Sequence, residues 1–277
     1  MEVMPLAKER NADGPVVAFF DVDGTLVIRH PDAPGVEPTM RVTEAVRSFA
    51  RAGGVPVIST GRSLIGVKRL LDLIPFRGCV TMDGAYVVVD NQVVVDRYFP
   101  IEMLECIVGE IERLGMEVFL EGTERCAELS PLGRPIFGEA PLATCLEDLR
   151  TINPDLRFGK IDFYGKGYDL YRKSRYLTHR LKYYNVGYSS HELVMPGVNK
   201  GLGAQHLLEA LARGGCVPSH VFVFGDSEND LPLFEIADVA VAMGQAAKPV
   251  LEAADVVADS CENDGVAVAL EQLGLLG

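Results

Sequence analysis

Acidic side chains follow two short apolar segments that lie far apart in the chain. Asp21 and Asp23 come directly after residues 16–20, in the sequence DVDGTL. Asp226 follows residues 221–224 after one glycine, in the sequence GDSEND. Carboxylate oxygens are the ligands that hard divalent cations prefer, and an ionised Asp can also attack phosphorus as a nucleophile. If the two segments are neighbouring strands, their spacing predicts a site for metal-assisted phosphoryl transfer.

A hydroxyl side chain and two cationic side chains stand at comparable places. Thr60 directly follows another apolar run, residues 55–59, and Gly61 and Arg62 come next. Lys200 stands at the start of a predicted helix, whose N-terminus adds a partial positive charge. Hydrogen-bond donors and cations neutralise a transferring phosphoryl group, so these residues are candidate phosphate ligands.

Each candidate also has an explanation that involves no ligand. A DxDG sequence suits a tight turn, because Asp bonds the local backbone and Gly accepts positive φ. Thr60 would equally suit a β-turn, and Lys200 would suit the solvated surface of a helix. Arg62 is as well explained by a surface salt bridge as by substrate binding. Asp230 would suit the first turn of a helix with no metal nearby. The distances between these carboxylates decide between the alternatives, because carboxylates gathered around Asp21 would repel one another unless a cation lay between them.

Short apolar runs alternate with helical patterns at both ends of the chain. The runs are typical of strands buried on both faces, and they span residues 16–20, 55–59, 221–224 and 239–243. Helical patterns lie between them, near residues 39–52, 200–213, 231–237 and 248–254. This alternation predicts an α/β fold with a doubly wound parallel sheet. Because ligands bind beyond the carboxyl ends of such strands, we expect Asp21, Thr60 and Asp226 to meet in one crevice.

The middle third of the chain has a different pattern. A β-hairpin is predicted over residues 86–95, because two valine-rich runs flank Asp-Asn-Gln. The elements predicted after it are helices near 101–114 and 168–183 and strands at 117–120 and 158–164. These elements predict an α+β domain over residues 85–189, inserted between two core segments, 1–84 and 190–277.

Composition limits the partners of the protein. The 277 residues include 26 Lys+Arg and 39 Asp+Glu, a formal net charge of −13, which disfavours binding to nucleic acid or to an anionic membrane surface. No apolar run approaches the ~20 residues that span a bilayer. The six Cys residues include no C-x-x-C pair, and the N-terminal residues lack the apolar segment of a secretory signal. We therefore expect a cytoplasmic protein, a monomer or small homo-oligomer, whose partner is a small molecule.

The motifs together resemble those of the haloacid dehalogenase (HAD) superfamily of phosphatases. The matching sequences are DxDGTL from Asp21, TGR from Thr60, NKG from Asn199 and GDxxND from Gly225. The resemblance is closest to the Cof-like subgroup, whose α/β cap is inserted between the second and third motifs of a Rossmann-like core. The sequences MGQA from Met243 and NDGVA at 263–267 also resemble that subgroup, so the likeness covers nearly the whole chain.

The resemblance implies a role for each motif residue. Asp21 is the implied nucleophile and a Mg²⁺ ligand. Asp23 is the implied proton donor to the leaving alcohol, with its backbone carbonyl on the metal; this role needs a pKa raised toward neutrality, which neighbouring acids could supply. Thr60 and Lys200 would bind the phosphoryl oxygens, and Gly61 would adjoin them.

The remaining implied roles concern the metal and the backbone. Asp226 would bind Mg²⁺ directly, whereas Asn229 and Asp230 would hold the metal or its waters. Gly24 would permit the sharp turn after Asp23. One position departs from the subgroup: its usual Asn-Gly-Ala is here Asp-Gly-Ala, beginning at Asp83. An ionised Asp offers only acceptors where Asn offers a donor, so either Asp83 faces the metal or another cation, or the substrate contact there differs.

The sequence therefore predicts a Mg²⁺-dependent phosphomonoester hydrolase that acts on a sugar phosphate or another small phosphorylated metabolite. The alternatives are a phosphotransferase or phosphomutase on sugar phosphates, and a non-catalytic protein that binds a phosphometabolite; the presence of both Asp21 and Asp23 disfavours the latter. The cap would close over the cleft and exclude water. Its candidate substrate contacts, which could equally face solvent, are Arg134, Lys160, Asp162 and Tyr164.

Overall fold

The computed structural model describes residues 10–29 and 37–276, which form an eight-stranded and a six-stranded sheet. Residues 1–9, 30–36 and 277, which belong to the predicted core segments, lie outside the described residues. Within the described ranges, no helix is both long enough and apolar enough to cross a bilayer.

The strands and helices alternate along the chain. The strands are β1 (Val16–Phe20), β2 (Val55–Ser59), β3 (Gly78–Thr81), β4 (Tyr86–Val89), β5 (Gln92–Asp96), β6 (Val118–Gly122), β7 (Ala127–Leu129), β8 (Leu142–Ala143), β9 (Phe158–Tyr164), β10 (Lys182–Asn185), β11 (Ser190–Val194), β12 (His220–Gly225), β13 (Val239–Ala242) and β14 (Val256–Val257). The helices are α1 (Met40–Arg51), α2 (Leu64–Leu73), α3 (Ile101–Leu114), α4 (Leu146–Ile152), α5 (Gly167–Tyr171), α6 (Arg175–Arg180), α7 (Lys200–Arg213), α8 (Leu231–Phe234), α9 (Lys248–Ala253) and α10 (Gly265–Gln272). Short 3₁₀ turns span Met82–Gly84, Glu228–Asp230 and Cys261–Asn263.

The eight-stranded sheet has the order β14-β13-β12-β1-β2-β3-β4-β5, and it is parallel from β14 to β3. Its side chains alternate between two apolar layers: Ala18 and Phe20 of β1 pack with α1, α2 and α10, whereas Val17 and Phe19 pack with α7, α8 and α9. Helices therefore cover both faces, and the predicted doubly wound α/β fold is confirmed.

Helix α7 begins and ends where the sequence predicts. The side chain of Asn199 accepts a hydrogen bond from the backbone N–H of Leu202 at 2.8 Å, which caps the first turn. Lys200 is thus the first helical residue, and the helix ends at Arg213. The cap matters for function because it fixes where the Lys200 side chain leaves the helix.

The six-stranded sheet has the order β10-β11-β9-β6-β7-β8. One of its faces packs apolar residues such as Ile161, Phe163 and Leu193 against helices α3 to α6. Strand alternation turns the intervening residues of β9, Lys160 and Asp162, to the opposite face. That face lies against the loop that follows β2, where a Cβ added at Gly61 would come within 3.1 Å of Nζ of Lys160.

Two segments differ from the predicted boundaries at residues 85 and 189. The hairpin β4–β5 pairs with β3 and extends the eight-stranded sheet, because Val87 and Val89 pack in the layer under α7. Strand β11, predicted in the second core segment, pairs instead with β9 and β10, because Leu193 packs in the apolar layer of the second sheet. The strand pairing of these two segments therefore does not follow the predicted boundaries, and the division of the chain into domains stays a prediction.

The helix predicted near residues 168–183 is also wrong. The side chain of Ser174 accepts a hydrogen bond from the backbone N–H of Leu177 and starts α6 separately from α5. Residues 182–185 then form β10, because their backbone pairs with β11. The apolar and aromatic residues of this stretch fit both the 3.6-residue period of a helix and the two-residue period of a strand, so the pattern alone could not distinguish the two.

Candidate active site

The loop after β1 lies against the loop after β12. The backbone N–H of Asp21 donates to the carbonyl of Phe224 at 2.9 Å, so the acidic loop starts at the sheet edge that the sequence predicts. Gly24 has φ +89°, and a Cβ added there would lie 2.2 Å from Oδ2 of Asp226. The structure therefore brings together acidic residues that are about two hundred positions apart.

Lys200 joins two of the acidic residues. Its Nζ donates to Oδ1 of Asp21 at 2.7 Å and to Oδ1 of Asp230 at 2.6 Å. The Lys200 side chain is only 1% exposed, so the alternative of a solvated helix residue is wrong. Burial lowers the pKa of Lys200, but the charges of Asp21 and Asp230 outweigh burial and raise the pKa well above its usual value. The ammonium is therefore permanently charged where it meets the carboxylates.

Asp230 organises the loop after β12. Its Oδ2 accepts the backbone N–H groups of Asp226 and Ser227 at 3.0 and 3.1 Å, while its Oδ1 binds Lys200. Ser227 completes a capping box with Asp230, and its hydroxyl also donates to Oδ1 of Asp226 at 3.0 Å. Asp230 thus has the helix N-terminal role considered from the sequence, and its predicted role at a metal stays a prediction.

Three buried carboxylates form a set that fits a divalent cation. Oxygen atoms of Asp21, Asp226 and Asp230 lie within 4.8 Å of one another. Burial, and then the charge of Asp230, raises the pKa of Asp226 to about 7. Burial also raises the pKa of Asp21 well above its usual value, although Lys200 opposes this. Clustered oxygen donors that repel one another are the arrangement that a hard cation relieves.

Asn229 and Asp83 meet at the edge of the carboxylate set. Nδ2 of Asn229 donates to Oδ1 of Asp83 at 3.0 Å and to Oε2 of Glu192 at 2.9 Å. Burial, and then the charge of Glu192, raises the pKa of Asp83 well above its usual value, and the two carboxyl groups are close enough to share a proton. The substituted position therefore faces an amide and a carboxyl group of the second sheet, and the predicted metal role of Asn229 is not tested by these contacts.

Arg62 binds Asp23 rather than a surface acid. Its Nε and one terminal nitrogen donate to the two Asp23 oxygens at 2.8 and 2.6 Å. Burial raises the pKa of Asp23, but Arg62, with Arg29 and Lys160, outweighs burial and lowers that pKa below its usual value. The predicted rise in the pKa of Asp23 is therefore wrong for this structure, because the nearest partner of Asp23 is a cation and not another acid.

Thr60 makes the β-turn contacts that are the alternative to its predicted phosphate role. Its hydroxyl oxygen accepts the backbone N–H of Arg62 at 3.2 Å, and its carbonyl accepts the backbone N–H of Asp83 at 3.1 Å. The residue is 1% exposed at the end of β2. These bonds fix the Thr60–Arg62 loop beside Asp23, and the phosphate role of Thr60 stays a prediction.

The second sheet covers this loop with charged side chains. Nζ of Lys160 donates to Oδ1 of Asp162 at 2.6 Å and to Oε1 of Glu192 at 2.8 Å, and all three residues are buried. Tyr164 is 38% exposed and packs edge-on against Phe137, at a ring-centroid distance of 4.8 Å. The fourth candidate of this sheet, Arg134, is exposed in the loop after β7.

Sequence reasoning missed Glu192 and Glu121. The backbone N–H of Ser63, in the loop after β2, donates to Oε2 of Glu121 at 3.2 Å. Glu192 lies in β11, which the prediction assigned to the core, so its approach to Gly61 was not considered. The sequence of β11, SHELV, does not alternate between polar and apolar residues and therefore gives no signal for Glu192.

Gly24→Ala is expected to disrupt the contact between the two acidic loops. The new methyl group would collide with Asp226, so we expect a loss of about 2–4 kcal/mol in the free energy of unfolding and a large loss of activity. Gly53→Ala is the matched control, because Gly53 has φ +91° but no atom within 4 Å of an added Cβ. Urea unfolding of both variants measures the difference, and equal losses would contradict the collision.

Comparison with known proteins identifies the family. The family model of haloacid dehalogenase-like hydrolases matches residues 18–270. A putative bifunctional phosphatase/peptidyl-prolyl cis-trans isomerase of Streptococcus pyogenes is 28% identical over 267 residues, 94% of this chain and 54% of that protein. The chain thus spans about half the length of that relative. A phosphoglycolate phosphatase of Methanopyrus kandleri is 28% identical over 264 residues, 93% of this chain and 96% of that protein.

A solved structure shares the fold of both sheets. The HAD subclass IIB sugar phosphatase BT4131 superposes with a TM-score of 0.73 at 22% identity, over 95% of this chain and all of that one. Hydrolases of this superfamily generally use a divalent metal, which agrees with the buried carboxylate set. The resemblance inferred from the motifs is confirmed: the chain belongs to the haloacid dehalogenase-like hydrolases.

Proposed function

We propose that the protein is a Mg²⁺-dependent phosphomonoesterase that works through a phosphorylated Asp21. The observation that carries the proposal is the contact of the buried Lys200 ammonium with Asp21, beside the carboxylates of Asp226 and Asp230. A nucleophile, a fixed cation and a set of metal-binding oxygens are the parts that phosphoryl transfer needs.

The first step would be attack of an Asp21 oxygen on phosphorus. Lys200 orients the carboxylate through Oδ1 and favours its ionised form against the effect of burial, while the charge of Lys200 also favours the arriving phosphate. A Mg²⁺ ion held by Asp21 and Asp226, with the Asp23 carbonyl and Asp230 beside it, would neutralise negative charge on the phosphate. The bond from Asp21 to phosphorus forms as the bond from phosphorus to the ester oxygen breaks.

Asp23 would move the protons. It would give a proton to the leaving alcohol and then take one from the water that hydrolyses the phosphorylated Asp21. In the present arrangement both Asp23 oxygens are bound to Arg62, which favours the ionised carboxylate. Protonation of Asp23 therefore requires that this ion pair open or weaken when substrate binds.

Arg62→Met is expected to shift the pH dependence. A general acid works while protonated, so activity falls as pH rises through its pKa. Because Arg62 lowers the pKa of Asp23, its removal raises that pKa, and the alkaline limb of kcat/KM should move to higher pH. The effect should be clear with glycerol 3-phosphate and weak with p-nitrophenyl phosphate, whose leaving group needs no proton. An unchanged alkaline limb with glycerol 3-phosphate would refute this role of Arg62.

The named relatives and the cap support a proposal for the substrate class. We propose a small phosphorylated metabolite of the sugar-phosphate type, by analogy with the named sugar phosphatase. The six-stranded sheet and its helices would act as the cap that excludes water and contacts the leaving group. Cytoplasmic localisation and a monomer or small homo-oligomer remain parts of this proposal.

Hydrolysis of p-nitrophenyl phosphate by the purified protein tests the activity. We expect turnover with Mg²⁺, its loss in EDTA and its return when Mg²⁺ is added back. Product analysis with a glucose or mannose phosphate then distinguishes release of inorganic phosphate from transfer to a second sugar hydroxyl. No turnover of any phosphomonoester with Mg²⁺ would overturn the proposal.

A further inference from the structure

Four charged residues line the cap face above the proposed site, and we call them the cap-face cluster: Glu121 of β6, Lys160 and Asp162 of β9, and Glu192 of β11. Neighbouring strands hold them in register, because Glu121 pairs with Lys160 and Asp162 pairs with Glu192. All four are at least nine-tenths buried between the two sheets. The proposed mechanism uses none of them.

The cap-face cluster lies directly on the phosphate loop of the core. A Cβ added at Gly61 would lie 2.3 Å from Oε1 of Glu192 and 3.1 Å from Nζ of Lys160. Oε2 of Glu192 accepts Nδ2 of Asn229, which links the cluster to the loop after β12. A group that leaves phosphorus on the cap side must therefore pass these side chains.

One buried acceptor beside the cluster has no hydrogen-bond partner among the described residues. It is Oδ1 of Asn229, a residue that is 4% exposed. An unsatisfied buried acceptor is costly, and a hydroxyl group of a bound ligand would relieve that cost. This observation is independent of the cluster's charge and points to a ligand that brings hydrogen-bond donors.

The charge of the cluster does not suit an anionic leaving group. Its single ammonium, on Lys160, already binds Asp162 and Glu192 at 2.6 and 2.8 Å. Burial raises the pKa of Asp162 to about 8, yet even a protonated Asp162 leaves two carboxyl groups, those of Glu121 and Glu192, against one ammonium. A carboxylate brought to this face would meet an ammonium whose single charge is already shared by two carboxyl groups.

We propose that the cap-face cluster selects uncharged, hydroxyl-bearing leaving groups and rejects carboxylated ones, so that this chain is not a phosphoglycolate phosphatase like its Methanopyrus kandleri relative. The inference rests on the proposed phosphatase activity. Carboxylate and amide oxygens would accept hydrogen bonds from the hydroxyl groups, whereas a carboxylate would meet like charge in a buried site.

Matched esters test the selection. Glycerol 3-phosphate and 3-phosphoglycerate differ in one terminal group, hydroxymethyl or carboxylate, and 2-hydroxyethyl phosphate and 2-phosphoglycolate differ in the same way. We expect kcat/KM to be about tenfold or more higher for the uncharged member of each pair, as one buried like-charge contact gives. Inhibition of p-nitrophenyl phosphate hydrolysis by each ester ranks binding independently of turnover.

Charge-removing variants connect the preference to the cluster. Glu192→Gln keeps the side-chain size and should reduce the preference by about threefold or more, whereas Asp162→Asn should do so only above about pH 8, where the Asp162 carboxyl group is ionised. Glu102→Gln, on the exposed surface of α3, makes the same charge change away from the site and should leave the preference unaltered. If the wild-type protein hydrolysed both members of each pair equally well, or preferred the carboxylated one, the inference would be overturned. Turnover of p-nitrophenyl phosphate in the same experiment would still support the phosphatase activity. No turnover of that ester would instead refute the phosphatase itself, and the inference with it.

Discussion

Replacing Asp21 with Asn is expected to abolish phosphoester hydrolysis, with a fall in kcat on the order of 10⁴-fold or more. The amide is a poor nucleophile and cannot form the mixed anhydride with phosphate. The substitution should cost little stability, because it preserves size and removes one of the mutually repelling buried carboxylates beside Asp226 and Asp230. The measurement is p-nitrophenyl phosphate turnover with Mg²⁺ in excess.

A covalent intermediate gives a second readout for the same variant. Acid quenching of the wild-type protein during turnover of a ³²P-labelled substrate should trap label on the chain, and the Asp21→Asn protein should carry none. Asp72→Asn is the matched control, because Asp72 is exposed on α2, and it should behave like the wild-type protein. Substantial turnover by Asp21→Asn would remove Asp21 from its proposed role.

The order of the parallel strands explains why much of the site was predictable. Asp21 and Asp226 follow buried runs, and the convergence of parallel strand ends required only that these runs be neighbours, as β1 and β12 are. The place of Lys200 at the start of a helix was predictable because a helical pattern begins there, and the structure adds Asn199 as the N-cap. These inferences depend on local chemistry and on one rule of sheet topology.

The ion pairs of the site were not predictable for a different reason. The ion pair of Arg62 with Asp23 joins the loops after β2 and β1 of the eight-stranded sheet. The ion pair of Lys160 with Glu192 joins neighbouring strands of the six-stranded sheet. Such pairs depend on how loops and strands distant in sequence pack together, and each partner alone resembles a solvated charge. The expected pKa of Asp23 was wrong for this reason, since the cation that lowers it comes from the loop after β2.

Replacing Lys200 with Met is expected to produce the largest change in stability. The substitution leaves Asp21 and Asp230 buried without their ammonium partner, and breaking a buried ion pair in this way costs about 3–5 kcal/mol. Lys68→Met, on the exposed surface of α2, controls for the loss of a positive charge. Urea unfolding in EDTA should show the loss for Lys200→Met and almost none for Lys68→Met.

The pH and metal dependence of that loss distinguish electrostatics from packing. Burial raises the pKa of Asp21 above its unfolded value, and without Lys200 that pKa would rise further. A carboxyl group whose folded-state pKa is raised destabilises the protein as pH rises above the unfolded pKa, so the deficit of Lys200→Met should shrink from pH 7.5 to pH 5. Mg²⁺ should also restore part of the stability, because a cation bound only by the folded carboxylates shifts the unfolding equilibrium. If the loss of unfolding free energy in Lys200→Met depended on neither pH nor Mg²⁺, Lys200 would stabilise the fold through packing alone. The carboxylates would then not form the charged site proposed for this protein.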